Sequence, residues 1–454
     1  MGRMILVGSV MGGLGLLGGW YLKPEAPKKA DSFFQTWVKN EALAGASVGF
    51  CVLDEKGETV CSSPLAETAL CPASALKTLT AGAAFDVLGD GFTFKTVILA
   101  GSEISSDGRV TGDLILKGGG DPTLATADLE AMAAALAKNG LKRVQGMLRV
   151  DATLFPDTPV SDHWVWGDLG NAYGAGAFGL NVDHNAVQLT FNGGKIPGAA
   201  ATFLGSEPVL PDTKWDVQVT TGAAGSGDGV MIYSSPFAGK ILVKGTVPLA
   251  SQAFAVRGAV PDPPALAGEI LRVALERRGI VFTGQAVAGK SSIIIAKHES
   301  VALVKLITHM QAVSDNLEAQ CLFLMMGVKK DADPADVIKA YWESMGVSFK
   351  GLRLLDGSGL ARATMIRPLD LARINYAARH SAYGDQFFTS LPANADGTLR
   401  SKRGAMSGVR SEVGFLKRGD REFTFALIGN GLGVVDFWKL RQSLLEELPN
   451  RRPR

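Results

Sequence analysis

The chain has 454 residues, enough for two or three domains, and 46% of them are hydrophobic, which supplies a sizeable core. Its 46 basic and 44 acidic residues leave a net charge of +2 with no long run of like charge, which excludes a phosphate-tracking face and with it a nucleic-acid partner. Fifty-five glycines against 7% aromatic residues favour many turns and close backbone approaches, as in strand-rich proteins.

The first segment, MGRMILVGSVMGGLGLLGGWYLK, holds an uncharged run from Met4 to Leu22. That length is near the lower limit for a membrane-spanning helix, with Trp20 and Tyr21 at the interface. An uncleaved anchor is favoured over a cleaved signal because no small-x-small cleavage site follows. Lys23, Lys28 and Lys29 run against the usual charge rule, and the glycines weaken the helix. Either form exports the rest of the chain, to the periplasm or the outer face of the cytoplasmic membrane. KPEAPKKA at 23–30 reads as a linker.

Residues 31–40 read as a short amphipathic helix carrying Phe33, Phe34 and Trp37, and a hairpin follows at 46–63. In that hairpin Cys51 and Cys61 lie equidistant from Lys56. They face each other as a disulfide, which an exported location permits, or remain two free thiols. Leu76, Leu79, Ala83, Ala84 and Val87 repeat with helical spacing; strands return over 93–120, and 125–140 is a helix ending at Gly140. The region 142–300 is mostly strand, with one helix at PALAGEILRVALERRG. Helices dominate from about 300 until two final strands and a C-terminal helix, DFWKLRQSLLEEL. The strands are GAMSGVRSEVGFL and REFTFALIGNG, joined by the turn KRGD. The economical arrangement has an anchor and linker at 1–30, a helix-and-strand body at 31–92 and 295–454, and a strand-rich insertion at 93–294.

Ser74 and Lys77 stand three residues apart on a predicted helix, so hydroxyl and amine share one face. Serine is a poor nucleophile alone, and a desolvated lysine with lowered pKa can take its proton. At the helix start Ser74 also gains from the amide dipoles. Ser314-Asp315-Asn316 sits at a loop-to-helix junction, where a plain N-cap is the bland alternative. Lys-Arg-Gly occurs at 402–404 and again at 417–419. The second copy is a hairpin turn, and only Lys402 is placed on an edge strand to face a cleft. No metal-ligand spacing appears among four cysteines and five scattered histidines, so neither cofactor nor metal is implied.

The order Ser-x-x-Lys, Ser-Asp-Asn, Lys-x-Gly is that of penicillin-binding proteins and class A β-lactamases. PASALK (72–77), GGGDPTL (118–124), WVWGDLGNAYGAGAFGLNVDHN (164–185), LLDGSGLAR (354–362) and ADGTL (395–399) extend the resemblance over nearly the whole chain. The chain resembles the class C low-molecular-mass penicillin-binding proteins, the D-alanyl-D-alanine carboxypeptidase/endopeptidase family. The long separation of Lys77 from Ser314 fits that family's insertion and not the more compact β-lactamases. The resemblance implies an α+β fold, a penicillin-binding-protein/β-lactamase-like transpeptidase domain of antiparallel sheet and helices interrupted by the strand-rich insertion. It implies Ser74 as acylated nucleophile, Lys77 as its general base and Ser314 as proton relay to the leaving amine. Asn316 would orient substrate and Lys77, Lys402 would supply positive charge, and the N–H groups of Ser74 and Ala405 would form the oxyanion hole. Peptidoglycan stem peptides are the implied substrates, β-lactams the implied covalent inhibitors, and the membrane a partner through the N-terminal segment.

One departure stands out. Where the family has Lys-Thr-Gly-Thr, this chain has Lys402-Arg403-Gly404-Ala405, so two hydroxyls that hold the substrate carboxylate are absent. Each lost contact costs on the order of 1 kcal/mol. Arg403 either replaces them with a bidentate guanidinium or blocks the cleft. The main reading is an acyl-enzyme serine carboxypeptidase/endopeptidase. The alternative is a catalytically impaired peptidoglycan-binding protein of the same fold. Asp121-Pro122 reads as a turn, Trp164 and Trp166 as packing residues, and Asp356-Gly357-Ser358-Gly359 as a tight turn or a cleft-shaping loop.

Overall fold

The segment SVGFCVL has β-branched and apolar residues at nearly every position, the pattern of a strand covered on both faces. It forms β1 (Ser47–Leu53), buried throughout except at its first residue. The computed structural model describes residues 37, 39–210, 212–284, 292–432 and 437–447. The expected anchor and linker at 1–30, and most of the helix expected at 31–40, lie outside the described residues. Among the described residues no helix is long and apolar enough to cross a membrane.

With β2 (Thr59–Ser62), β3 (Leu399–Met406), β4 (Val409–Arg418) and β5 (Arg421–Asn430), β1 builds an antiparallel sheet of order β3-β4-β5-β1-β2. The two ends of the chain therefore meet in one sheet, and β3 is its edge. On one face Val48, Phe50, Val52, Phe423, Phe425 and Leu427 pack with Trp37 and with Phe437, Leu444 and Leu445 of the C-terminal helix. On the other face Cys51, Leu53, Val413, Phe415, Ala426 and Ile428 pack on the main helical core. Burying a phenylalanine such as Phe425 contributes roughly 1.5–3 kcal/mol.

This two-sided packing decides the cysteine question. Cys51 pairs with Ser62 and Val52 with Cys61, and Cys61 packs with the face opposite to Cys51. Alternation along the strands turns the two sulfurs apart, and no disulfide joins cysteines among the described residues. A second correction concerns the last strands. GAMSGVRSEVGFL is not one run, because a turn at Ser407-Gly408, with Gly408 at φ +74°, separates β3 from β4. The three strands form two successive hairpins, the second turning at Gly419 as expected.

The helical core centres on α1 (Lys77–Leu88), KTLTAGAAFDVL, which is buried on nearly all sides. Small residues let neighbours approach closely. A side chain at Gly82 would strike the ring of Trp342, whose Nε1 donates to the Leu79 carbonyl at 3.2 Å. The middle region carries α2 (Thr126–Lys138) and α3 (Pro263–Glu276), packed over a four-stranded sheet of Ile293–Glu299, Lys95–Ala100, Leu114–Lys117 and Leu148–Asp151. Three smaller sheets complete that region, and one of them pairs Lys214–Thr221 with Lys240–Val247 in parallel. The boundary expected at 294/295 cuts a strand: Ile293–Glu299 pairs with Lys95–Ala100 and belongs to the middle region to its end. Beyond it come α4 (Leu303–Val313), α5 (Asn316–Lys330), α6 (Pro334–Ser344), α7 (Pro368–Arg379), α8 (Gly384–Ser390) and α9 (Phe437–Glu447).

Candidate active site

Residues Ala73–Leu76 form a 3₁₀ turn that leads directly into α1. Ala73 takes φ +45°, a left-handed conformation that a side chain resists. The turn carries Ser74 at the entrance of α1, where first-turn N–H groups have no partner within the helix. Lys77 is fully buried, and its Nζ donates to Ser74 Oγ at 3.0 Å, to Asn316 Oδ1 at 2.6 Å and to the carbonyl of Ser358 at 2.9 Å. Burial, followed by the like charge of Lys402, pushes the Lys77 amine down to about 7; Asp356, Asp315 and Glu318 oppose the shift. Such an amine is about half neutral at neutral pH, and its neutral form can accept the proton of a hydroxyl beside it.

Asn316 opens α5, and its amide bridges two directions, accepting from Lys77 and donating to the Tyr173 carbonyl at 2.8 Å. Asp315 caps the same helix by accepting from the Glu318 N–H at 2.9 Å. Ser314 stands between α4 and α5 at φ +63°, a turn that closes one helix and opens the next.

Lys402 lies on the edge strand β3, is buried, and is held down to about 8 by that burial. Gly404 touches the turn that carries Ser74. A Cβ there would meet Ser411 Oγ, the Pro72 carbonyl at 2.7 Å and the Ala75 nitrogen at 2.8 Å. The Ser401 N–H donates to the Pro392 carbonyl, away from β4. Alternation along the strand therefore turns the N–H groups of Arg403 and Ala405 to the same open edge. The Ala405 N–H thus points to the open edge of the strand whose Gly404 abuts the Pro72–Ala75 backbone, beside the turn that carries Ser74.

Residues 33–446 match the D-Ala-D-Ala carboxypeptidase 3 (S13) family. The chain belongs to that family. It is 31% identical over 433 residues to the D-alanyl-D-alanine carboxypeptidase of Actinomadura sp. (strain R39), covering 87% of this chain and 79% of the relative. The D-alanyl-D-alanine carboxypeptidase DacB of Haemophilus influenzae is 27% identical, with 85% and 82% covered. Penicillin binding protein 4 (dacB) from H. influenzae superposes with a TM-score of 0.76 at 23% identity, covering 89% of this chain and 97% of that one. The α+β penicillin-binding-protein fold is therefore that of this chain. A second structure of that protein is a complex with a β-lactam, at a TM-score of 0.73 and 23% identity.

In this S13 peptidase the motif residues Ser74, Lys77 and Asn316 are joined by hydrogen bonds, the buried Lys402 acts on Lys77 by its charge from the edge strand, Ala405 offers only its backbone to the open edge, and Ser314 stands two residues before Asn316 in the turn between α4 and α5. Arg403 does not join them. It is exposed, its guanidinium lies 5.0 Å from the Trp438 ring centroid, and its Nε is 3.7 Å from the Glu412 carboxylate. The reason is again alternation: Arg403 follows Ser401, whose hydroxyl also reaches Glu412, onto the face opposite Lys402. Glu412 is fully buried and held by Arg441 of α9, so that face is an ionic cluster. The guanidinium thus rests on the Trp438 and Glu412 side of the strand, away from Lys77. Arg403→Thr is expected to change the β-lactam acylation rate by less than about tenfold and to lower stability by about 0.5–1 kcal/mol through the lost cation–π contact. Acylation kinetics and a urea titration read the two separately.

The S13 site has a supporting layer that single motifs do not announce. Asp356 is fully buried and accepts from Trp164 Nε1 at 2.6 Å, Ser358 Oγ at 3.1 Å and the N–H groups of Gly359 and Ala361. This fixes the Asp356–Gly359 loop so that the Ser358 carbonyl meets Lys77. Trp164 is a packing residue with a polar handle, whereas Trp166 is 62% exposed and leans on Tyr233. Asp121 is buried and closes its turn by accepting from the Thr123 N–H and hydroxyl. Below Asn316, burial and then Asp315 push the Glu318 carboxyl up to about 9, and it hydrogen-bonds His309 Nδ1 at 2.7 Å. Backbone carbonyls such as those of Ser358 and Tyr173 carry no sequence signal of their own. The Gly-rich loop and the aromatic-rich WVWGDLGNAYG were the traces that pointed to them.

Proposed function

We propose that this chain cleaves the D-alanyl-D-alanine end of peptidoglycan stem peptides through an ester formed on Ser74. The family and its carboxypeptidase relatives make the chain a serine D-Ala-D-Ala carboxypeptidase. The single observation that carries the residue assignment is the triple hydrogen bond of the buried Lys77 amine to Ser74, Asn316 and the Ser358 carbonyl.

Ser74 Oγ attacks the carbonyl of the penultimate D-alanine as its proton passes to Lys77 Nζ. The carbonyl oxygen takes up the negative charge and receives hydrogen bonds from the N–H groups of Ser74 and Ala405. Collapse breaks the C–N bond, and the terminal D-alanine leaves as the amine after receiving a proton through Ser314. A water then attacks the ester, gives its proton to Lys77 and restores the Ser74 hydroxyl. Asn316 holds Lys77 in line and presents its amide to the substrate. Lys402 attracts the terminal carboxylate.

The test is covalent labelling by a fluorescent penicillin. Wild-type protein is expected to carry one label that survives denaturation, and Ser74→Ala none. Unlabelled wild type, or equal labelling of the variant, would overturn the assignment. Because the substrate lies outside the cytoplasmic membrane, we place the protein in the periplasm or on that membrane's outer face, with the apolar Met4–Leu22 run as export signal or anchor. Cell fractionation that recovers it in the cytosol would refute this.

A further inference from the structure

Behind the Ser314-Asp315-Asn316 loop, three distant segments bring ligating side chains together. His184, Asp315 and Glu318 each offer a ligand atom, and these atoms all lie within 4.8 Å of one another. His309 of α4 adjoins them, with its Nδ1 2.7 Å from Glu318 Oε1 and its ring centroid 5.9 Å from that of His184. The two acidic side chains are close together, and the basic groups in contact with them among the described residues are imidazoles.

Two atoms of the cluster are left without a bond. The Glu318 side chain is 1% exposed, and its Oε2 is buried with no hydrogen-bond partner. His184 Nδ1 is also buried and unbonded, although it stands 3.3 Å from Asp315 Oδ2. A buried carboxylate oxygen and an imidazole nitrogen left unpaired are costly, and such groups are expected to find a partner. A cation satisfies both at once. Imidazoles and carboxylates in a four-ligand set suit zinc, whose ligands sit at about 2.0–2.2 Å. The present spacing needs side-chain rotations of roughly 1 Å to reach that geometry.

The surroundings hold these ligands in place. Asp183 and Asn185 flank His184. Asp183 accepts from the Thr126 N–H and hydroxyl, and Asn185 accepts from the Val182 N–H while donating to Gly176 and Asn181. Asp315 and Glu318 sit on the first turn of α5, beside the Asn316 that reaches Lys77. We propose that His184, Asp315 and Glu318, with His309 completing the set, form a zinc-class divalent-cation site that ties the strand-rich middle region to the Ser314–Asn316 loop. Binding does not depend on the peptidase assignment, so failure of either leaves the other standing.

The probe is Zn²⁺ alone, titrated by calorimetry into full-length protein stripped with a chelator. One equivalent per chain is expected, with a melting temperature that rises as zinc is added. Glu318→Gln and His184→Ala are each expected to weaken binding at least about tenfold. His309→Ala alters a half-exposed side chain and is expected to fold normally, which keeps the test open should the buried variants misfold. It too should weaken binding, whereas His163→Ala, at an exposed histidine elsewhere, should not. No saturable binding would overturn the proposal, and so would saturable binding that His184→Ala and His309→Ala leave unchanged.

Discussion

Lys77→Met is expected to lower β-lactam acylation by about 10⁴-fold or more. The substitution keeps the length and bulk of the side chain and removes only the amine. Without it Ser74 Oγ has no group at hydrogen-bond distance able to take its proton, since that contact is the Lys77 Nζ at 3.0 Å. Asn316 Oδ1 and the Ser358 carbonyl also lose their donor. Circular dichroism separates loss of fold from loss of chemistry. A folded Lys77→Met protein that acylates within tenfold of wild type would remove Lys77 from the role of base.

The same amine sets the pH profile. Lys77 is pushed down to about 7, so it is protonated and unable to accept below that pH and becomes a base above it. Acylation should therefore rise with pH through about 7. Lys402 is pushed down to about 8, and its attraction for a carboxylate is lost as pH rises through that value. The two limbs give a narrow bell between them. Lys402→Gln removes a like charge from beside Lys77, so the rising limb should move to higher pH and the falling limb should vanish. An unmoved rising limb would show that the two amines do not sense each other.

How much of this was legible in sequence depends on whether a feature is local. The Ser-x-x-Lys spacing, the Ser-Asp-Asn junction and the alternation in REFTFALIGNG are local, and the structure forms the helix starts and strand that they predict. The join of β1 to β5 was not legible, because both strands are visible but their pairing spans about 370 residues that no local pattern connects. Arg403 invites reading as a charge next to Lys402, but strand alternation puts it on the other face. The choice between a Cys51–Cys61 disulfide and two thiols stays open in sequence, since equal distance from a turn does not reveal the register shift between Val52 and Leu53. The Asp356 loop is visible in sequence as a turn, but its bond to Trp164, 192 residues away, is not.

Gly404→Ala is the second large effect, and it tests how closely the edge strand and the nucleophile must meet. An added Cβ would lie 2.7 Å from the Pro72 carbonyl and 2.8 Å from the Ala75 nitrogen, both backbone atoms of the segment that carries Ser74. Backbone cannot rotate away as a side chain can, so strand and turn must separate by several tenths of an ångström. On the proposed assignment the oxyanion site needs both the Ala405 and the Ser74 N–H, and that separation would pull them apart. Acylation should fall by about 100-fold, the scale on which small misplacements act, and stability should fall by about 1–3 kcal/mol from overpacking. The added Cβ also meets Ser411 Oγ, a hydroxyl that donates to the Pro72 carbonyl. If that side chain were the obstacle, Gly404→Ala combined with Ser411→Ala would restore acylation. If the backbone contacts decide, the double variant should stay as slow as the single one. A single variant that acylates at the wild-type rate would mean that the strand does not supply the donor, and the oxyanion site would have to be sought elsewhere.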